Sequence, residues 1–358
     1  MERLKDCMEE LLKFTVKSYI DETLDLHLGI SKEFCSDLLR DEPNDGVSSS
    51  TDFDFDEDCS LQGVPPYPLY KRLALALCRS VVSGDFCTTC RKVPLMNEDS
   101  FLEQKEEEWS QLILNKGSQL VNLFGHRIAP GAVILLNKCM TLQVQCVRHH
   151  DSFPEMLEAE SLEKVLPGVK TIEEGVQIYR NFYAEEKERY NGVLAICVSK
   201  VATQPCATLA SLLSGLSYGG IQSLLGLAHT VGTISDALPP PRSTLLSSFM
   251  LPFKPNIKGS TLTHGARALA KHAARSSNRY WGKYDGSDSD KNRLAMDVIG
   301  HLIVSCCWLN VHIVQPHGIV FEIRVADGYG ARWSKDGTKF IGFLEPYMED
   351  GHSKGWKH

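Results

Sequence analysis

The residues with the clearest chemical potential lie in the last third of the chain. His264, Arg267, Lys271, His272 and Arg275 recur at i, i+3, i+7, i+8 and i+11, so a helix beginning near Thr261 carries all five on one face. Such a basic stripe can follow a phosphate backbone, and Tyr280 and Trp281 just beyond it are placed to stack a base. The same helix also reads as a solvated face opposite Ala266, Ala270, Ala273 and Ala274. Further on, Arg332 beside Trp333 offers a guanidinium for a phosphate or a stacked base. Gly328 and Gly330 around Tyr329 permit close approach of a ligand to the backbone. The aromatic crowd of Tyr329, Trp333, Phe340, Phe343, Tyr347 and Trp356 equally suits the core of a small hairpin domain, and that reading is preferred.

Metal chemistry finds less support. Cys87 and Cys90 have zinc or redox spacing, but no second CxxC or HxxxH follows. His301, His312, His317, His352 and His358, with Cys306 and Cys307, show no ligand-like spacing. His301 sits on an apolar helical pattern and reads as a satisfied core histidine. No metal and no cofactor is expected.

Charge narrows where an anionic partner can sit. Residues 1–60 hold 17 acidic against 6 basic residues, a balance of −11, whereas residues 261–358 hold 13 basic against 10 acidic, or +3. Phosphates are met by Lys and Arg, so the N-terminal region is excluded as a nucleic-acid face. No stretch approaches the roughly 20 apolar residues of a membrane span. The opening MERLKDCMEELLKF is charged and lacks an apolar h-region, so neither a secretory signal nor a transit peptide is expected. The twelve cysteines form no framework and read as thiols of a reducing compartment. The expectation is a soluble protein of the nucleus or cytoplasm.

These residues need elements to position them. Leu4, Met8, Leu11, Leu12 and Thr15 share one face of a first helix. Ser31 caps a second, which carries Phe34, Leu38 and Leu39. The acidic stretch 41–60 reads as a linker, and a third helix stops at Gly84. A helix from Phe101 is expected to end at Gly117. Beyond Pro130-Gly131, AVILLNK and TLQVQCV read as strands, the second alternating through Leu142, Val144 and Cys146. Ser152 with Glu155 and Thr171 with Glu174 begin two helices, and Gly192 opens the strand GVLAICVSK. Residues 201–240 read as a pair of short buried helices, and ALPPPRS as a rigid connector. The C-terminal part reads as two helices separated by the polar turn YDGSDSDKN, then hairpins, one with an Asp336-Gly337 turn. Four regions follow: a helical region 1–100, a barrel 101–200, a helical connector 201–243 and an α+β domain 244–358.

RIAPGAVILLN, SFPEMLEAESLEKVLPG and TIEEGVQIYRNFYAEEKERYNGVLAICV resemble the second half of the ASCH domain family over about 70 residues. The likeness rests on the Pro-Gly turn, Phe153, Leu166-Pro167-Gly168, Glu174-Gly175, Tyr179, Phe182-Tyr183 and the strand Gly192 to Ile196. As a whole the chain is similar to plant-type RNA-binding ASCH proteins, and the same domain occurs in a transcription coactivator. The resemblance implies an α+β chain with a PUA-like β-barrel holding single-stranded or loop RNA. Arg127, Lys138 and Arg148 bracket its first two strands and are the barrel's own RNA-binding candidates.

Hydrolytic members of the family carry a GxKxxExR-type motif. Here the matching place is 117–124, with Gln119 for the Lys, Asn122 for the Glu and Phe124 for the Arg. Neither amide side chain can exchange a proton near neutral pH, so noncatalytic RNA binding is the leading expectation and no catalytic residue is assigned. Two alternatives stand: a nucleoside amidohydrolase or ribonuclease with a displaced catalytic set, and a coactivator-like scaffold docking protein partners through its N-terminal helices.

Overall fold

The computed structural model describes residues 2–43, 61–84, 86, 100–122, 131–136, 139–202, 204–257, 261–274 and 280–346. Two compact units emerge, one from Met1–Ser118 and Cys206–His358, the other from Gln119–Pro205. The chain is α+β, with helices and two antiparallel sheets.

In the first unit, α1 (Glu2–Ile20) buries Met8, Leu11, Leu12 and Thr15, the face set by its apolar spacing. Thr15 Oγ1 donates to the Leu11 carbonyl at 2.7 Å, so its hydroxyl stays satisfied inside the core. In α2 (Lys32–Leu39) Ser31 accepts from Phe34 N, as expected of an N-cap, and α3 (Leu69–Ser83) ends at Gly84 in the left-handed region. These helices join the far end of the sequence. Ser31 N donates to Tyr218 Oη at 2.8 Å, Tyr67 Oη to the Pro239 carbonyl at 2.8 Å, and Arg242 Nε to the Val64 carbonyl at 2.7 Å.

The apolar stretch after residue 204 forms α9 (Pro205–Leu224), broken at Ser217, and α10 (Arg242–Met250) follows the proline run. Then come α11 (His264–Ala273), capped by Thr263, and α12 (Asp288–Ser305). The expected polar turn before α12 covers residues 284–287, and its second half, from Asp288, is already the helix's first turn, because Ser287 and Asp290 make a reciprocal capping box. His301 is exposed on α12 and bonds Ser305 at 3.3 Å, which corrects its reading as a core histidine. A four-stranded meander closes the unit: β4 (Trp308–Val314), β5 (Gly318–Arg324), β6 (Gly330–Ser334) and β7 (Phe340–Leu344). The Asp336-Gly337 turn joins β6 to β7, with Asp336 accepting from Ser334 Oγ and Thr338 N.

Helix α4 (Ser100–Asn122) continues through Gly117, where the glycine predicts a stop. In the second unit β1 (Val133–Leu136), β2 (Met140–His150) and β3 (Val193–Lys200) pair antiparallel in that order. They form an open sheet, with no closed barrel among the described residues. The helical stretch between β2 and β3 divides into α5 (Phe153–Glu160), α6 (Leu162–Val165), α7 (Ile172–Arg180) and α8 (Glu185–Asn191), where the capping signals predict two helices. Ser152 and Thr171 cap α5 and α7 as expected. Phe153 stacks on Tyr179 at 4.5 Å, and its backbone N–H donates to buried Glu188, which also pairs with Arg180.

Candidate functional site

Strands β4 to β7 alternate, so one face of their sheet is apolar. Val311, Phe321, Ile323, Ala331, Trp333 and Phe343 fill it, all buried. The other face carries polar residues at the same period of two: Asn310 and His312 on β4, Glu322 and Arg324 on β5, and Arg332 on β6. Register lines them up. Asn310 faces Glu322, Glu322 faces Arg332, and Arg332 faces Gly342, so one row crosses all four strands.

Glu322 is the hub of the row. Its Oε1 accepts from Arg324 Nε at 2.7 Å, and its Oε2 accepts from Arg332 Nε at 2.9 Å and Nη2 at 2.6 Å. His312 Nε2 lies 3.3 Å from the same Oε2. Burial alone would push this carboxyl up, but His312, Arg324 and Arg332 outweigh it and hold the pKa at about 2. A carboxylate held ionised cannot serve as a proton acceptor at neutral pH; it fixes the planes of its three partners. Because it only accepts, His312 Nε2 must carry the proton in the neutral ring, which leaves Nδ1 as the lone-pair nitrogen.

Two other features position these groups. Arg324 reaches past Gly330 on β6, donating from Nη1 to the carbonyls of Gly328 at 2.7 Å and Glu345 at 3.1 Å. Asn310 is fully buried and donates to Thr230 and Thr233, which flank the outer edge of β4. The Trp308 ring meets His312 edge to face at 5.7 Å. Among the described residues, His312 Nδ1, Arg324 Nη2 and Arg332 Nη1 have no hydrogen-bond partner. Two guanidinium charges face one carboxylate, leaving the cluster one positive charge in excess. Beside Arg332 there is room among the described residues, since a Cβ on Gly342 meets none of them within 4 Å. This arrangement suits an anion with several acceptor oxygens.

Of the residues singled out in the sequence, Arg332 belongs to this cluster. Trp333 does not: its ring is buried on the opposite face and its Nε1 donates to the Leu245 carbonyl at 3.2 Å. Trp281 is fully buried, with Nε1 bound to Glu345 at 2.8 Å, so the expectation that it stacks a base is corrected. Tyr280 is half-buried and stacks on Tyr329 at 3.5 Å, so that ring face is taken by protein. On α11, Lys271 is exposed and Arg267 lies 5.4 Å over the Phe253 ring, with Lys254 5.7 Å from the same ring. His272 is bound to Glu345 at 2.7 Å. In the second unit Arg148 is paired with Glu160 at 2.7 Å. Arg127, Lys138, Arg275, Phe124, Cys87 and Cys90 lie outside the described residues, as do the side chains of Gln119 and Asn122.

Sequence reasoning passed over Asn310, Glu322 and Arg324, and weighed His312 only as a metal ligand. The available signal was polar residues at alternate positions of two strands whose other positions are apolar. No group of three or more His, Cys, Asp or Glu side chains suited to a metal occurs among the described residues. No helix there is long and apolar enough to cross a membrane.

No curated protein matches this chain. Among solved structures it is similar to the crystal structure of hypothetical protein PH0355, at 44% identity over 22% of this chain and 77% of that one, with a TM-score of 0.21. It is also similar to the solution structure of protein PF0455 from Pyrococcus furiosus, at 40% identity over 30% of this chain and 94% of that one, with a TM-score of 0.20. Residues 254–345, which hold α11, α12 and the sheet with the polar row, match the family described as the CdiA C-terminal tRNase toxin domain.

Proposed function

We propose that the chain acts on RNA through the polar face of its C-terminal sheet, cleaving a phosphodiester without a metal. The observation that carries this reading is the in-register row around Glu322, which holds two guanidiniums and an imidazole on one carboxylate, with the open position at Gly342 beside Arg332. The family likeness of residues 254–345 supports RNA, and tRNA first, as the substrate class. Arg324 Nη2 and Arg332 Nη1 hold the phosphate oxygens and offset the charge that develops on them. His312 Nδ1 takes the proton of the attacking 2′-hydroxyl as the bond from phosphorus to the 5′-oxygen breaks, the departing 5′-oxygen takes a proton from water, and Glu322 keeps the His312 tautomer in place. The basic positions Arg267, Lys271 and Arg275 extend the interaction along the backbone, and the ASCH resemblance adds an RNA-holding surface in the second unit.

Noncatalytic RNA binding is the second reading, favoured by the small exposure of Arg332 and Glu322, whose side chains are 8% and 2% exposed. The deciding experiment incubates the purified chain with total tRNA in the presence of a chelator and analyses the fragment ends. Fragments ending in 2′,3′-cyclic phosphate, absent with His312→Ala and Arg332→Gln, bear out cleavage. RNA retained intact, with retention weakened in Arg332→Gln, leaves binding as the function. Neither cleavage nor retention by the folded protein would overturn both readings.

A further inference from the structure

The second unit carries a thiol pair that the RNA reading does not use. Cys146 on β2 and Cys197 on β3 are direct cross-strand partners, next to the register shift between Val144 and Cys146. Directly opposed strand residues place their Cα atoms about 4.5–5.5 Å apart, inside the window a disulfide spans. Facing each other in register, the two side chains lie on the same side of the sheet, and both residues are partly open to solvent. The other described cysteines differ. Cys7, Cys35, Cys78, Cys206, Cys306 and Cys307 are buried, and the Cys139 thiol turns to the Leu136 carbonyl.

We infer that Cys146 and Cys197 form a peroxide-responsive dithiol that closes to a disulfide across β2 and β3. Cys146 is the first thiol to react. Its sulfur attacks the terminal oxygen of a hydroperoxide, the O–O bond breaks, and sulfenic acid and an alcohol or water result. The Cys197 sulfur then displaces hydroxide from that sulfenic acid; the hydroxide and the Cys197 proton leave as water. Two thiols are oxidised by two electrons and one peroxide is reduced by two.

The surroundings of Cys197 fit the second role. The Cys146 side chain, burial and the neighbouring Glu160 carboxylate push its thiol up to about 11, so it stays protonated until an electrophile is beside it. Its Sγ already donates to Glu160 Oε2 at 3.6 Å, giving the proton a way out. Arg148 and His150 keep Glu160 in place through the change, because both bind the same carboxylate.

The test treats the full-length chain under native conditions with hydrogen peroxide, blocks remaining thiols, and maps peptides without reduction. The expected product joins the peptides holding Cys146 and Cys197, about 2 Da lighter than the two thiol peptides together, and separates with dithiothreitol. In Cys197→Ser, with the circular dichroism of the parent, Cys146 is expected to be trapped as sulfenic acid by dimedone. Both thiols still alkylated after peroxide, or either joined to a different cysteine, would overturn the inference. The outcome is independent of whether the chain acts on RNA.

Discussion

Arg332 and Gly342 face each other across β6 and β7, and beyond its chain neighbours no described residue comes within 4 Å of the place of a Cβ on that glycine. Gly342 does not adopt a positive φ, so a side chain there is compatible with its backbone. A ligand held by Arg332 would occupy that space.

Filling the space separates site from scaffold. Gly342→Val should fold with a thermal midpoint within a few degrees of the parent, since a β-branched residue suits a strand and meets no neighbour. RNA cleavage or retention should fall at least about tenfold, a loss of roughly 1.4 kcal/mol. Unchanged RNA activity in a folded Gly342→Val protein would move the site elsewhere.

Gly330 makes the opposite case. A Cβ there would meet the Ile323 carbonyl oxygen well inside van der Waals distance and crowd Arg324 Cγ. Backbone cannot yield as a flexible side chain can, so Gly330→Ala should destabilise by about 2 kcal/mol or more in urea unfolding. An equally stable variant would show that β5 and β6 are not packed in this register.

The Glu322 cluster sets an acid limit on stability. Its folded pKa, about 2, lies below the ordinary 4.5, so its contribution is present above pH 4.5 and is lost as pH falls from there to about 2. The shift corresponds to something on the order of 3 kcal/mol at neutral pH. Glu322→Gln should therefore be destabilised at pH 7, where it leaves two guanidiniums without their carboxylate, and should converge on the parent only as pH approaches about 2. Parallel pH profiles for the two proteins would refute this assignment.

The basic positions at and beyond α11 are tested through salt. Replacing Arg267, Lys271 and Arg275 together by Gln keeps helix propensity nearly unchanged. Affinity for single-stranded RNA should drop on every sequence alike, and the salt slope should become shallower by roughly 0.7 for each phosphate no longer neutralised. Binding identical to that of the parent would make these residues a solvated face.

Much of the architecture was legible because it is local. Ser31, Ser152 and Thr171 cap helices by accepting from backbone three residues on, and Gly84 and Gly192 end helices by adopting a positive φ. Those bonds depend on neighbours in sequence, so residue type and spacing suffice to foresee them. The α+β class and the core role of Tyr329, Trp333, Phe340 and Phe343 were legible for the same reason, through periods of 3.6 and two, whereas Tyr347 and Trp356 lie outside the described residues.

What only the tertiary structure decided is which distant residues meet. Glu322 gathers His312 from ten residues before it and Arg332 from ten after, because strand register, which no short window of sequence encodes, sets them side by side. The same holds for Trp281, whose flank of basic residues suggested a surface while Phe343, Tyr329 and Glu345 enclose it. It holds too for the joining of residues 2–118 to residues 206–358 as one unit. Burial and pairing across such separations arise from the packed whole, where each apolar face finds its cover and each buried charge its counter-charge.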